Sequence, residues 1–393
     1  MALATDTDRT ARPPFWRDVK VLRVVAQVVV GVGAVLLFLF LGRNLNTNLT
    51  AANIPTDFEF LKQPAGVAVT GSDFRPSQPI SDIILLGIKN TAALAVVGIP
   101  LLTILGTLVG IGRLSSNWLV RKSATVYVET LRNIPPLLVI IFTNAAVILS
   151  LPRIQDAITP GDLFVISNRF LAIPWANAGE NSGVYLAVLG VGILVSIVVW
   201  IWRTRKFDAT GTPHHRFLWG TGVFLLFAII GFYAVGKPYS LSRPVVVDGR
   251  IIEGGYQTVG PYIAVLLALV IYTASHVAEI VRGSIQAVAK GQTEAANALA
   301  LSSFQRLRFV VLPQAFRIAI PPLINQFLNF TKNTSLAIAI GYAEVTLVVF
   351  QAIGNAKPAP QLILILMGAY LLFSLTISLL INFLNRRLQL VTN

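Results

Sequence analysis

Cysteine is absent from the 393 residues, so the chain has no disulfides, no thiolate metal sites and no cysteine nucleophile. Charge is scarce too. Asp, Glu, Lys and Arg together make up 12% of the chain, about half of the roughly one quarter usual in soluble domains. Acids are the scarcer sign, 17 against 31 Lys and Arg, leaving a net charge of +14. There are only three histidines, and no Ser, His and carboxylate set converges on any one side of the chain, so it is read as a non-enzyme. What is plentiful is apolar: 55% of residues are hydrophobic and the mean hydropathy is +0.72. Disorder requires the opposite balance, and a water-soluble globule of this size could not hide so much apolar side chain. An integral membrane protein is the class that remains.

A hydrocarbon layer of about 30 Å takes about 20 helical residues to cross, and its backbone groups must be satisfied within the span. Long apolar runs predict eight spans, at 24–41, 90–112, 128–151, 184–202, 218–235, 257–279, 319–341 and 361–384. Lys20 and Arg23 precede the first run together with Arg17, but its 18 residues exceed the apolar stretch of about 7–15 in a signal peptide, so it reads as a retained anchor. With both ends placed inside, the inner segments hold 20 basic residues and the outer loops 10, while acids divide seven to nine. That asymmetry is the positive-inside pattern, and it points the basic surface at the anionic inner leaflet rather than at nucleic acid. The outer loops 42–89 and 152–183 are too short and too polar to build a core of their own.

Several lookalike motifs carry nothing. Gly231, Gly236 and Lys237 mimic a phosphate loop, but Pro238 supplies no hydroxyl for Mg²⁺ and the run lies in a span. His214 and His215 are adjacent in a polar loop and cannot share a helical face. His276 is isolated within span six, where a hydrogen bond inside the bundle is its expected role. Gly106, Gly110 and Gly112 read as close helix packing. Asn48, Leu49 and Thr50 form a glycosylation pattern too common to weigh.

The informative stretch lies between spans six and seven, in the basic loop 280–318. Glu294, Ala295 and Ala296 open a run of helix formers; Leu299 and Leu301 offer an apolar patch; Ser302, Gln305, Arg306 and Arg308 follow, and Pro313 is expected to stop the run. A short helix with small residues at one end and Leu and Phe at its middle suits a groove on a cytoplasmic partner. Glu294 also has a plainer role, as a favourable charge near a helix N-terminus.

This stretch resembles the Glu-Ala-Ala loop of bacterial ABC-type import permeases of the polar amino acid uptake family, with Val310, Leu312 and Pro313 closing the motif at the family's spacing. One position departs: Ala300 stands where that family has glycine, so either the turn is helical here or the coupling element is rearranged. Other segments agree with the family, namely Gly87 to Thr91, Arg113 to Ser115, Tyr127 to Leu138 with Glu129 and Arg132, Ala278 to Gly283 with Glu279 and Arg282, Gly291 and Gln292, and Lys332 to Leu336. The extra spans resemble one of the two permeases of general L-amino-acid transporters. The resemblance implies an all-α type I ABC importer transmembrane domain: a five-helix core in 87–384, an added first helix within 1–86, a two-helix insert at 152–256, a coupling loop at 280–318 and a cytoplasmic tail at 385–393. It implies a second homologous permease, two copies of a cytoplasmic ATPase that bind the ATP and Mg²⁺, and a periplasmic amino-acid-binding protein. This chain would bind no cofactor itself and would sit in a bacterial inner membrane with both termini cytoplasmic. Coupling to the ATPase would fall to Glu294, Ala295, Ala296, Ala300, Leu301, Ser302, Gln305, Leu312 and Pro313.

Span seven is unusually polar. At 100° per residue Asn325, Asn329 and Lys332 fall within about 60° of each other, and Gln326 and Asn333 widen the stripe. A charged lysine in a bilayer costs roughly 2.5 kcal/mol or more unless it is paired or faces water, so the stripe is expected to face the bundle interior, beyond Pro321 and Pro322 at the span's start. One reading makes Asn325, Asn329, Lys332, Asn333, Thr334 and Ser335 a pathway for an amino acid. The other is interhelical hydrogen bonding, or pairing of Lys332 with Glu344 or another subunit. Asn333 is neutral where some relatives have Asp, which argues against restriction to cationic substrates. An ion-gradient-driven secondary carrier is the alternative reading, although such a carrier has no use for a coupling loop and no inverted repeat is found.

Overall fold

The computed structural model describes residues 16, 18–52, 54–211, 215–355 and 357–388. Arg17, His214 and the end of the expected tail, 389–393, lie outside the described residues, as do residues 1–15. Twelve α-helices follow in chain order: α1 Val19–Ala51, α2 Ile80–Gly112, α3 Trp118–Arg132, α4 Pro136–Phe142, α5 Ser182–Thr210, α6 Arg216–Ala234, α7 Gly260–Gln286, α8 Lys290–Ala298, α9 Ser303–Arg306, α10 Leu312–Asn333, α11 Val345–Gly354 and α12 Ala359–Leu388. Seven helical stretches are long and apolar enough to cross a membrane, and the bent pair α3–α4 with its continuation to Ile148 makes an eighth. Every expected span is therefore occupied by helix.

Their limits differ from the hydropathy reading for local reasons. α1 starts at Val19 because the Asp18 carboxylate accepts from the Lys20 N–H at 2.8 Å. α2 begins at Ile80, so the domain boundary drawn at 87 falls inside a helix. The span read at 128–151 is broken: α3 is amphipathic and starts at 118, capped by Asn117, which accepts from Leu119 and Val120. The chain then bends by 105° before α4, where Pro135 and Pro136 cannot continue the α3 hydrogen-bond ladder. Pro321 and Pro322 lie inside α10 rather than at a helix start, because the helical run from Ser303 onward is longer than its apolar part.

α2 and α7 form the central seam. A Cβ on Gly106 would lie 2.5 Å from Val277 Cγ1, and one on Gly110 would lie 2.7 Å from the Ala278 carbonyl, so both positions require glycine for the observed approach. Gly112 has only ordinary contacts to α3. The ring of Phe330 fills the space beside Gly98, and with Leu94, Leu102, Val265, Leu269 and Val277 it forms the main core. Tyr127 donates to the Ile271 carbonyl at 2.6 Å and ties α3 to α7. His276 makes its hydrogen-bond contacts within α7, to Tyr272 and Ser275.

Segments 152–183 and 236–259 each form a short hairpin and also pair with one another. Strands β1 Val165–Ile166, β2 Phe170–Ile173 and β7 Tyr256–Val259 make one antiparallel sheet, β3 Trp175–Ala178 pairs with β4 Tyr239–Ser242, and β5 Val245–Val247 pairs with β6 Ile251–Glu253. Val165, Ala172 and Ile252 pack as a small core between 152–183 and 236–259. The α5–α6 hairpin projects from this cap into the membrane. The 54–79 loop is packed as well: Phe60, Ala65 and Val69 are buried against α2, α11 and α12. The all-α expectation thus holds for the membrane part, and short strands mark one end, here called the β end. The opposite, basic end carries α8 and α9.

Near the β end a buried acid organises the last third. Glu344 is fully buried and caps α11, accepting from the N–H groups of Thr346 at 2.8 Å and Leu347 at 3.0 Å and from the hydroxyls of Thr346 and Tyr370 at 3.2 and 2.8 Å. It is not the partner of Lys332. The segment 343–345 lies on α2: Asn90 donates to the Ala343 carbonyl at 2.7 Å, the Val345 N–H donates to Thr91 Oγ1 at 3.2 Å, and a Cβ on Gly87 would stand 2.9 Å from Val345 Cα. Those contacts give Gly87, Asn90 and Thr91 structural roles. Glu344→Ala leaves two helix N–H groups and two hydroxyls without this acceptor and is expected to cost about 1–3 kcal/mol. The measurement is the midpoint of heat-induced loss of the monodisperse peak in detergent, with Glu344→Gln falling between the two.

Candidate functional site: a protruding element and a polar helix face

At the basic end α7 runs out to Gln286 and the chain turns into α8. The single short helix expected from Glu294 onward is two helices, α8 and α9, joined by a tight turn. α8 ends in a Schellman arrangement: the Leu301 N–H donates to the Ala296 carbonyl at 3.2 Å, the Ala300 N–H donates to the Asn297 carbonyl at 2.9 Å, and Ala300 has φ +54°. A left-handed turn is therefore present here with alanine, so the turn is not helical. Next, Ser302 and Gln305 form a capping box. The Gln305 N–H donates to Ser302 Oγ at 3.3 Å, and the Ser302 N–H donates to Gln305 Oε1 at 2.9 Å. Those two side chains are occupied in shaping the protrusion.

Pro313 does not stop the run. The stretch Leu307–Val311 is a π turn, with wider spacing that carries the helix into α10, and Pro313 sits in the first turn of that helix. The protrusion is braced back on itself: Gln314 donates to Gln292 at 3.0 Å, Arg306 donates to Asn297, and Ala296 is buried. Glu294, Ala295 and Ala300 are exposed, Leu301 and Leu312 are half-buried, and Pro313 is exposed. Leu299 and Phe304 stand out at 75% and 67% exposure, and Phe309 is exposed as well.

Beneath it an ion cluster joins three helices through residues that the sequence marks only by their resemblance to the family. Glu279 on α7 accepts from Arg113 at the end of α2 and from Arg282, with Arg132 of α3 at 3.9 Å; Arg113 also lies 3.8 Å from Glu129. Arg282 donates onward to Gln286 at 2.6 Å. An acid among bases just past an apolar run was the available signal. The cluster holds the ends of α2, α3 and α7 where α7 leads into α8.

The polar stripe of α10 is one face, as the helical spacing predicted, but it points the other way. Asn325, Asn329 and Lys332 are exposed on this chain, while Leu323, Phe327, Phe330 and Thr331 turn into its core. Buried aromatic volume took the inward face. Gln326, Asn333 and Ser335 are half-exposed at the stripe's edge, and Thr334 is buried, donating to the Thr331 carbonyl at 2.7 Å. Lys332 lies in the last turn of α10, where a cation suits the helix C-terminus.

A second feature escaped the sequence reading. At the β end a cavity of about 520 Å³ lies between the 68–72 loop, Asn90, β7, the start of α7 and 341–343. Arg169, Tyr262 and Tyr342 line it, and the buried Gln351 Oε1 beside it has no hydrogen-bond partner. Its residues come from segments as far apart as 68 and 351, so no local pattern announced it.

The family model described as "binding-protein-dependent transport system inner membrane component" matches residues 102–390. The chain belongs to that family. It is 39% identical over 355 residues to the general L-amino acid transport system permease protein AapQ of Rhizobium johnstonii, covering 90% of this chain and 88% of that one. It is 35% identical over 433 residues to the glutamate/glutamine/aspartate/asparagine transport system permease protein BztB of Rhodobacter capsulatus, covering 99% of each. This permease is accordingly a multi-pass inner-membrane component of an ABC transporter, and the self-sufficient carrier is set aside. A left-handed alanine costs about 1 kcal/mol or more relative to glycine. Ala300→Gly should therefore raise the thermal midpoint of the purified permease with transport retained, whereas Ala300→Val should lower it.

Proposed function

We propose that this permease is one of two homologous transmembrane subunits of an ATP-driven, binding-protein-dependent amino acid importer, and that the 290–313 protrusion receives the ATPase stroke. The observation that carries this reading is the braced protrusion, with Leu299 and Phe304 exposed, at the basic end of a chain of this family. The basic end is the cytoplasmic one, because basic residues concentrate in its segments and an even number of spans returns both termini there. The relatives' names support the amino acid as cargo.

In this reading two ATPase copies hold ATP and Mg²⁺ and perform the hydrolysis, and this chain takes no part in that chemistry. Glu294 and Ala295, exposed next to the Ala300 turn, lie in the ATPase groove, while Ala296, Ser302, Gln305, Leu312 and Pro313 keep the element stiff. A lever transmits force only if it does not bend, and the capping box, the π turn and the Gln314 to Gln292 bond supply that stiffness. The ion cluster at Glu279 passes the movement to α2 and α3.

The face bearing Asn325, Asn329 and Lys332 is covered by the second permease, and the pathway runs between the two. Amides and an ammonium there meet the carboxylate and amine of the cargo in a site that costs Lys332 less than lipid would. At the β end the periplasmic binding protein releases the amino acid toward the cavity, where Arg169 offers a cation to the carboxylate.

The absence of native cysteine makes a clean test. A single cysteine at Leu299 or Phe304 is expected to form a disulfide with a cysteine in the co-expressed ATPase, and recovery of the chain alone with no cross-link would overturn the coupling role. Lys332→Met is expected to lower amino acid uptake in proteoliposomes at least about fivefold, an effect of about 1 kcal/mol, while the ATPase still co-purifies. Unchanged uptake would remove Lys332 from the pathway.

A further inference from the structure

The α5–α6 hairpin is not used by any of the machinery above. Its two helices face the membrane almost all round, and among the described residues only Gly192, Gly220 and Gly231 of the pair are buried, each where the helices touch. Between them lies a groove of about 560 Å³ lined by Ile193, Ile197, Phe224 and Trp200, with Ser196 and Thr221 the polar members. Gly220 makes the room: a Cβ there would come within 3.3 Å of the Trp200 ring.

The groove runs up to a set of cations at the basic end. Arg216 lies over the Trp200 ring that lines the groove, at 5.4 Å. Arg203 lies over Trp219 at 5.2 Å and over Trp202 at 5.8 Å, and Lys206 over Trp202 at 5.6 Å. Arg205 adds a fourth positive charge to 203–217, and Asp208 is the one acid there. Three indoles at the end of a membrane hairpin stand where headgroups begin. A guanidinium held over a ring, as Arg216 is over Trp200, is placed at the groove's end with N–H donors to offer a phosphate.

We propose that the groove between α5 and α6 binds one anionic phospholipid, an acyl chain lying along Ile193, Ile197 and Phe224 and the headgroup phosphate held by Arg203, Lys206 and Arg216. Charge complementarity selects the occupant. The groove is largely apolar over about two turns of α5, from Ile193 to Trp200, and ends in a net positive cluster, which suits an amphiphile with an anionic head and disfavours one whose head carries its own cation. The lipid would fasten the inserted hairpin, which has little protein contact of its own, to the leaflet on the basic side.

The test is native mass spectrometry of the purified, delipidated complex titrated with phosphatidylglycerol, phosphatidylcholine and glycerol 3-phosphate. One phosphatidylglycerol is expected to remain bound under conditions that strip phosphatidylcholine, and glycerol 3-phosphate is expected not to displace it. The combined substitution Arg203→Gln, Lys206→Gln and Arg216→Gln should weaken that retention by about tenfold or more without changing phosphatidylcholine retention. Ile197→Trp, which fills the groove and leaves every charge in place, should also displace the lipid. Equal retention of the two lipids by the unaltered complex would overturn the proposal, as would unchanged retention in the charge variant or displacement by glycerol 3-phosphate alone. Should the charge variant not elute as a monodisperse complex, lipid selectivity of the unaltered complex and the Ile197→Trp result decide the matter.

Discussion

In hydrocarbon, helices gain nothing by hiding apolar side chains from one another, so association rests on close contact. The α2–α7 seam is the place where this constraint is met, with Gly106 against Val277 and Gly110 against the Ala278 carbonyl. Everything else is referred to that seam. One side of it carries Phe330 beside Gly98 and so fixes α10; its basic end carries Arg113 against Glu279 and so fixes α3 and the start of the protrusion. A side chain at Gly106 would push the two backbones apart and move both ends together.

The protrusion shows how a short element is made stiff outside the membrane, where no large core exists to support it. Each of its joints is closed by local hydrogen bonds: the Schellman turn at Ala300, the capping box at Ser302 and Gln305, and the π turn before Pro313. A left-handed alanine is a small strain held in place by those neighbours. Its apolar residues, Leu299 and Phe304, are then free to serve as a surface rather than a core.

The periphery obeys a different rule. α1 has no buried residue in its apolar window, and the α5–α6 hairpin touches the rest chiefly through its strands. Such elements are matched to lipid rather than to protein, which is why their side chains are apolar all round and their charges gather at the ends. The polar face of α10 is the reverse case: Asn325, Asn329 and Lys332 are exposed on this chain, and a face so polar is poorly matched to lipid.

How much could be read without coordinates follows from the range of the forces involved. Spans, the basic asymmetry and the shared face of Asn325, Asn329 and Lys332 come from composition and a 3.6-residue period, which are local properties. The direction of that face was not local, because it depended on Phe327 and Phe330 finding space beside α2. Likewise Ala300 looked unsuited to a left-handed turn until its neighbours' hydrogen bonds were placed around it. Glu344 is one of the partners open to Lys332 in the sequence, but α11 and Tyr370 enclose it, and the β2–β7 and β3–β4 pairings required 170–178 and 239–259 to meet across an inserted hairpin. Periodicity and charge in the chain alone determined which segments enter the membrane and which end is basic. Tertiary contact decided which way each face points and which polar groups are satisfied, because those outcomes rest on atoms brought together from distant parts of the sequence.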